Sequence, residues 1–214
     1  MRFYLRQKVE MDFAALYLQE ALRLGALGMQ PGVGARLVTP ILGLSETGSA
    51  SAADPIEVFT IDERPRVRKA ALLCLGRLDG ERRQATLAAA LSDPSPGVCQ
   101  TALRALGTRI VLVGETALWR AIQEQRVARC RTYFVAALAR LPRWAAGRCL
   151  LQACGDPDAA IATEAQRHLA RWTAAVNAVR PTAEELATVD LLIERAPLQG
   201  SLLRELRFVL QTWR

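Results

Sequence analysis

The chain has little of what enzymes, secreted proteins and membrane proteins depend on. One histidine, His168, stands in 214 residues, so no paired imidazoles exist to build a metal centre. Aromatic residues make up 6%. Of the 28 basic residues only Lys8 and Lys69 are lysine, which leaves 26 arginines. Apolar runs such as Ala70–Gly76 and Ile110–Gly114 fall far short of the roughly 18–20 residues that span a bilayer. Charges at Arg2, Arg6, Lys8, Glu10 and Asp12 precede no apolar h-region, which argues against a signal peptide. There is no CxxC pair, no GxSxG and no P-loop. The glycines Gly25, Gly28, Gly32 and Gly34 follow no strand and so make no phosphate cradle.

The five cysteines are Cys74, Cys99, Cys130, Cys149 and Cys154. Their odd number, and their positions inside apolar helical stretches, read as buried free thiols in a reducing compartment. The expectation is a cytoplasmic protein with no cofactor, no metal and no catalytic residue. Cys130, flanked by Arg129 and Arg131, is the one cysteine with a cationic setting for a nucleophile. His168 is the one candidate general base. A buried repeat position explains the first better, and a solvated or hydrogen-bonded ring the second.

What is present is 51% apolar and 23% charged. That is too apolar for a disordered chain, and long enough for a sizeable core. The net charge of +7 favours acidic partners: a protein surface, nucleic acid or anionic lipid.

The dominant signal is an internal repeat. Val67 and Val98, Ala71 and Ala102, Leu75 and Leu106, and Gly76 and Gly107 are each 31 residues apart. A third copy lies 32 further on at Cys130, Val135 and Leu138, and a fourth 31 beyond that at Ile161 and Leu169. Asp62, Asp93 and Asp156, with Pro94 and Pro157, keep the turns in the same frame. Within each unit, apolar or small residues at i, i+4 and i+8 mark one face of a helix. An Asp-Pro turn precedes it, and Gly76 and Gly107 stand where a left-handed residue would end it. Second amphipathic stretches at Arg82–Leu91, Thr116–Gln123 and Trp144–Cys154 supply a partner helix. Two helices per unit in tandem predict an α-solenoid.

Asp62–Gly76, Ser92–Gly107 and, more loosely, Asp156–Trp172 resemble HEAT repeats in their short bacterial form, of the phycobilin-lyase type. The resemblance implies an all-α, right-handed α-solenoid of about five helix pairs with a C-terminal helical cap, in one domain over 1–214. Residues 1–60 would be divergent N-terminal helices, 61–174 clear repeats, and 181–214 capping helices. It also implies an Asp–Arg ladder between neighbouring repeats. Because Cys99 and Ala162 replace arginine, that ladder is expected complete only near Asp62 and Arg68. No catalytic motif of the lyases or DNA glycosylases built on such solenoids is found, nor the His-Glu pairs of HEAT-type di-iron hydroxylases. Ser45–Ala53 is predicted as a loop, Pro181–Arg195 and Ser201–Trp213 as the last two helices, and the four tryptophans as packing at unit edges.

If Val67, Ala71 and Leu75 point inward, Arg66, Lys69, Leu73 and Arg77 point out. Carrying the frame forward gives partner-binding candidates at Arg66, Lys69, Arg104, Arg129, Arg140, Arg167 and Arg171. Guanidinium forks suit carboxylates and phosphates. The resulting expectation is a non-catalytic scaffold or accessory subunit that presents an arginine-lined concave face to an acidic protein. The alternative is a nucleic-acid-binding protein using the same face, and less favoured is a lyase or glycosylase. The bland reading is a solvated face whose arginines pair with local acids. No membrane insertion is expected, and the absence of a polar N-terminal cap fits a chain that belongs to a larger complex or polypeptide.

Overall fold

The structure is a computed structural model that describes residues 12–125, 127–175, 179–198 and 200–213. Among these there are helices and turns and no strand. The α-helices are α1 (Phe13–Ala26), α2 (Val33–Thr47), α3 (Ala53–Glu57), α4 (Pro65–Leu78), α5 (Gln84–Ala89), α6 (Pro96–Leu106), α7 (Ile110–Val113), α8 (Glu115–Glu124), α9 (Ala128–Leu138), α10 (Arg143–Cys154), α11 (Ala159–Ala174), α12 (Ala183–Arg195) and α13 (Gly200–Gln211). In chain order α1–α2, α3–α4, α8–α9 and α10–α11 form packed pairs, with α12–α13 after them. Short 3-10 turns extend several of the first members. No helix among the described residues is long and apolar enough to cross a membrane.

The chain folds into two compact units, one drawn from residues up to Ala90 with Arg104–Leu106, the other from Leu91–Leu103 and residues from Gly107 onward. In the first, α1 packs on α2, and α2 and α3 pack on α4. Its core holds Leu24, Leu37, Ile41, Leu44, Ile56 and Val67. In the second, α9 and α10 pack on α11, α8 on α9, α12 on α10 and α13 on α11.

The repeat frame becomes a set of equivalent environments. Val67, Val98, Cys130 and Ile161 are fully buried, as are Ala71, Ala102, Phe134 and Ala165, and then Leu75, Leu106, Leu138 and Leu169. Successive residues four apart on a helix stack on one face, so three layers recur on four helices. Only Phe134 breaks the pattern of size, filling with a ring the place that alanine holds elsewhere.

Turn chemistry recurs as well. Asp62, Asp93 and Asp156 each accept the backbone N–H two residues on, from Arg64, Ser95 and Asp158 at 2.9, 2.7 and 2.9 Å. They shape Asx turns and do not cap the helices themselves. Pro65 and Pro96 take the first helical position, where a missing N–H costs nothing. Gly107 has φ +55° at the end of α6. Gly76 does not end a helix, contrary to expectation: α4 continues to Leu78. A Cβ there would come within 2.8 Å of the Ala105 Cβ of the same unit, so close packing demands the glycine. The predicted loop at Ser45–Ala53 is largely absorbed, since α2 runs to Thr47 and α3 begins at Ala53. Pro181 stands just outside α12, whose start is a reciprocal cap of Thr182 and Glu185.

Candidate functional site

The arginines fall into two groups, those that tie repeats together and those that face outward. Arg64 holds the Asp62 carboxylate at 2.7 Å and reaches the Gly28 carbonyl at 3.2 Å. Its guanidinium holds the Asp62 carboxyl below the usual range. Arg83 gathers Asp54, Glu57 and Asp79. Arg131 grips Asp156 at 2.5 Å and Asp158 at 3.5 Å, and donates to the Ile122 carbonyl. Arg148 pairs with Glu115 at 2.5 Å.

The expected ladder therefore extends further than the sequence indicated. At Asp62, Arg68 donates to the Asp62 carbonyl at 2.7 Å, while Arg131 builds a carboxylate rung to the next turn. Between them, where Cys99 replaces arginine, Gln125 completes the contact. It accepts the Val127 N–H and donates to the Asp93 carbonyl and Cys99 Sγ, at 3.2, 3.2 and 3.4 Å. Gln125 lies 32 residues after Asp93 and 31 before Asp156, a register signal that a search for Asp alone overlooks.

The seven predicted cations are all exposed, but they are not equivalent. Arg167 pairs with Glu164, Arg129 donates to the Tyr133 hydroxyl at 3.0 Å, and Arg140 donates to the Gly107 carbonyl at 2.5 Å. The side chains of Arg66, Lys69, Arg104 and Arg171 make no hydrogen bond or ion pair among the described residues. In the first unit, Arg66 and Lys69 flank a groove of about 410 Å³ whose floor is Ala35, Val38, Leu42, Ala70 and Leu73. In the second, Arg140 and Arg171 line a cavity of about 610 Å³ with Arg143, His168, Trp172 and four alanines. Arg77, also predicted to face out, is exposed and pairs with Glu46 at 2.5 Å.

Arg143 had no place among the predicted contacts, and its importance lies in tertiary geometry that no spacing reveals. Its guanidinium sits 4.5 Å from the centroid of the Trp172 ring and donates to the Trp172 and Ala175 carbonyls at 2.7 and 3.2 Å. Burial pulls its pKa below the ordinary arginine value. Trp172 meets Trp144 edge to face at 5.4 Å. Both indole N–H groups donate to backbone, at Arg143 and Val179, and both rings are buried, as packing at a unit edge requires.

The reactive candidates are quiet. His168 Nε2 lies 3.1 Å from Glu164, and burial lowers its pKa. All five cysteines are buried. Burial raises the Cys130 thiol, and it pushes Cys74, Cys99, Cys149 and Cys154 up to about 12. Such thiols are poor nucleophiles.

A family model described as HEAT repeats matches residues 36–107 and again 52–132. That stretch of the chain is built of HEAT repeats. Among solved structures, a designed armadillo-repeat protein in complex with the peptide (KR)4 is similar at 16% identity and TM-score 0.50, over 92% of this chain and 99% of its own. An engineered protein matches at 14% identity and TM-score 0.49, over 94% of this chain and 96% of its own. A second designed armadillo-repeat protein matches at 14% and 0.47, over 92% and 100%. The first likeness establishes the helical-repeat fold of the HEAT and armadillo type. No curated protein matches the chain.

Proposed function

We propose that the chain is a non-catalytic HEAT-repeat scaffold of a reducing compartment that binds an acidic segment of a partner protein through its outward-facing cations. The observation that carries this reading is the division of labour among the arginines. Arg83, Arg131 and Arg148 spend their forks on acids brought from other helices and turns, and Arg64 spends its own on Asp62 of its turn and the Gly28 carbonyl. Arg66, Lys69, Arg104 and Arg171 stand exposed with none. Charges that all paired locally would not leave these four side chains without a partner.

The groove beside Arg66 and Lys69 gives the reading its chemistry. An aliphatic floor between two cations suits a segment in which acidic side chains alternate with apolar ones. Rigid helical repeats offer such surfaces without reorganisation. The armadillo-repeat neighbour holds a peptide of lysine and arginine. With cations exposed on this chain, the matching ligand carries the opposite sign. Five buried thiols support the reducing compartment.

The test is fluorescence anisotropy with a labelled acidic peptide, (DE)4, on the whole chain. The triple variant Arg66→Glu, Lys69→Glu, Arg104→Glu is expected to weaken binding about tenfold or more, as loss of charge complementarity does, with the helical circular dichroism unchanged. Undiminished binding by the triple variant overturns the reading. Tighter binding of a single-stranded oligonucleotide than of (DE)4, with a steep salt dependence, replaces it with a nucleic-acid function.

A further inference from the structure

One cavity of the second unit carries charge that nothing inside it balances. Arg140, Arg143, Arg171 and His168 line its 610 Å³ beside Trp172 and a wall of alanines and leucines, and no carboxylate is among the lining residues. Glu164, which holds His168, is committed to Arg167 and to that histidine.

The 31-residue frame supplies an internal comparison. Arg77, Arg140 and Arg171 occupy one register, since Arg77 precedes Arg140 by 63 residues and Arg171 follows it by 31. In the first unit, Arg77 lines a cavity of about 820 Å³ together with Glu46, and the two pair at 2.5 Å. That unit neutralises its cavity from within. The second unit places two arginines of this register in its cavity, adds Arg143, and supplies no acid.

The Arg171 guanidinium has no partner among the described residues, and Arg140 uses Nη2 on the Gly107 carbonyl, so most of two guanidinium forks stay free. Arg143 is fixed over Trp172, its Nε buried without a hydrogen-bond partner. Three like charges around a partly apolar cavity repel one another, and the one held over Trp172 also loses hydration. An anion in the cavity relieves both costs.

We propose that this cavity binds the phosphomonoester of a phosphorylated serine or threonine on a protein segment. Charge selects the group. A phosphorylated side chain brings about −1.5 to −2 and three acceptor oxygens, which two arginine forks and a third guanidinium match. A carboxylate brings a single charge, and a nucleic-acid phosphodiester brings one charge per phosphate. The alanines of the wall receive the apolar stem of the residue, while Trp172 holds Arg143 in place. A volume of about 610 Å³ lies within the range of roughly 300–1,000 Å³ in which small ligands are held. The inference rests on the reading that the exposed cations meet an acidic protein segment, and it names the group recognised in this unit.

The experiment uses one labelled alanine–glycine peptide in three forms, with serine, phosphoserine or glutamate at its centre, titrated against the full chain at fixed salt. The phosphoserine form is expected to bind about tenfold tighter than the serine form, as one charge-assisted bidentate contact provides, and clearly tighter than the glutamate form. Arg171→Glu and, separately, Arg140→Glu should erase the preference; both side chains are exposed, and unchanged circular dichroism verifies the fold. Equal binding of all three forms, or a preference that survives both substitutions, overturns the proposal. Displacement of the phosphopeptide by inorganic phosphate at equal concentration reassigns the cavity to free phosphate. Displacement by an oligonucleotide at lower concentration reassigns it to nucleic acid. The Arg66, Lys69, Arg104 triple variant separates this proposal from the broader reading, because it should lose (DE)4 and keep the phosphoserine preference.

Discussion

At the scale of single residues, burial decides which groups react. A thiolate is the nucleophilic form of cysteine, and four of the five thiols are pushed to about 12 by desolvation. The fifth, Cys130, is raised for the same reason although Arg129 and Arg131 flank it in sequence. Those arginines point elsewhere, Arg129 to Tyr133 and Arg131 to Asp156, so chain proximity does not become electrostatic activation. The thiols of the native protein should therefore resist a disulfide reagent between about pH 7 and pH 9, a window around the ordinary cysteine pKa of about 8.5. The unfolded protein should release five equivalents at once. Rapid native reaction of Cys130 would restore it as a nucleophile.

At the scale of elements, the repeat is held by its turns. The position occupied by Asp62, Asp93 and Asp156 needs a side chain that accepts the N–H two residues on, and Gln125 meets that need with one more methylene. Gln125 also supplies the cross-repeat bonds that Cys99 cannot make as an arginine would. Gln125→Ala leaves the Val127 N–H and the Asp93 carbonyl each one bond poorer, and should cost about 1–2 kcal/mol. Arg131→Ala strands Asp156, whose side chain is 10% exposed, and should cost about 3 kcal/mol, the lower end of the range for breaking a mostly buried pair. Urea unfolding of each variant checks both values and their order. The helices were legible because a period of 3.6 and a period of 31 coincide on the same apolar residues. Gly76 was misread because a glycine at a helix end and a glycine at a close contact look alike in sequence; only the approach of Ala105 separates them. Pro40, buried within α2, likewise shows packing overriding the local preference to break a helix.

At the scale of the whole chain, a net charge of +7 would attract acidic ligands anywhere on the surface, and the proposed binding must be distinguished from that background. The outward orientation of Arg66, Lys69, Arg104, Arg129, Arg140, Arg167 and Arg171 was readable from the frame, because a helix that buries i, i+4 and i+8 has its other faces fixed. Which of them lack partners was not readable, because pairing depends on acids brought from other helices, as Glu46 is to Arg77. The unbalanced cavity was hidden for the same reason, with Arg143 drawn in by its contact to the Trp172 ring. The discriminating variant reverses three other exposed arginines, Arg180, Arg195 and Arg204, to glutamate. It lowers the net charge by the same amount as the Arg66, Lys69, Arg104 variant and leaves the groove and its rim intact. Binding of (DE)4 governed by bulk charge falls equally in both triple variants. Binding governed by the local arrangement falls about tenfold in the first and less than about twofold in the second, since charges that do not line the groove act only through a general field that salt screens over a Debye length near 10 Å. Equal losses would return the arginines to the role of a general electrostatic coat.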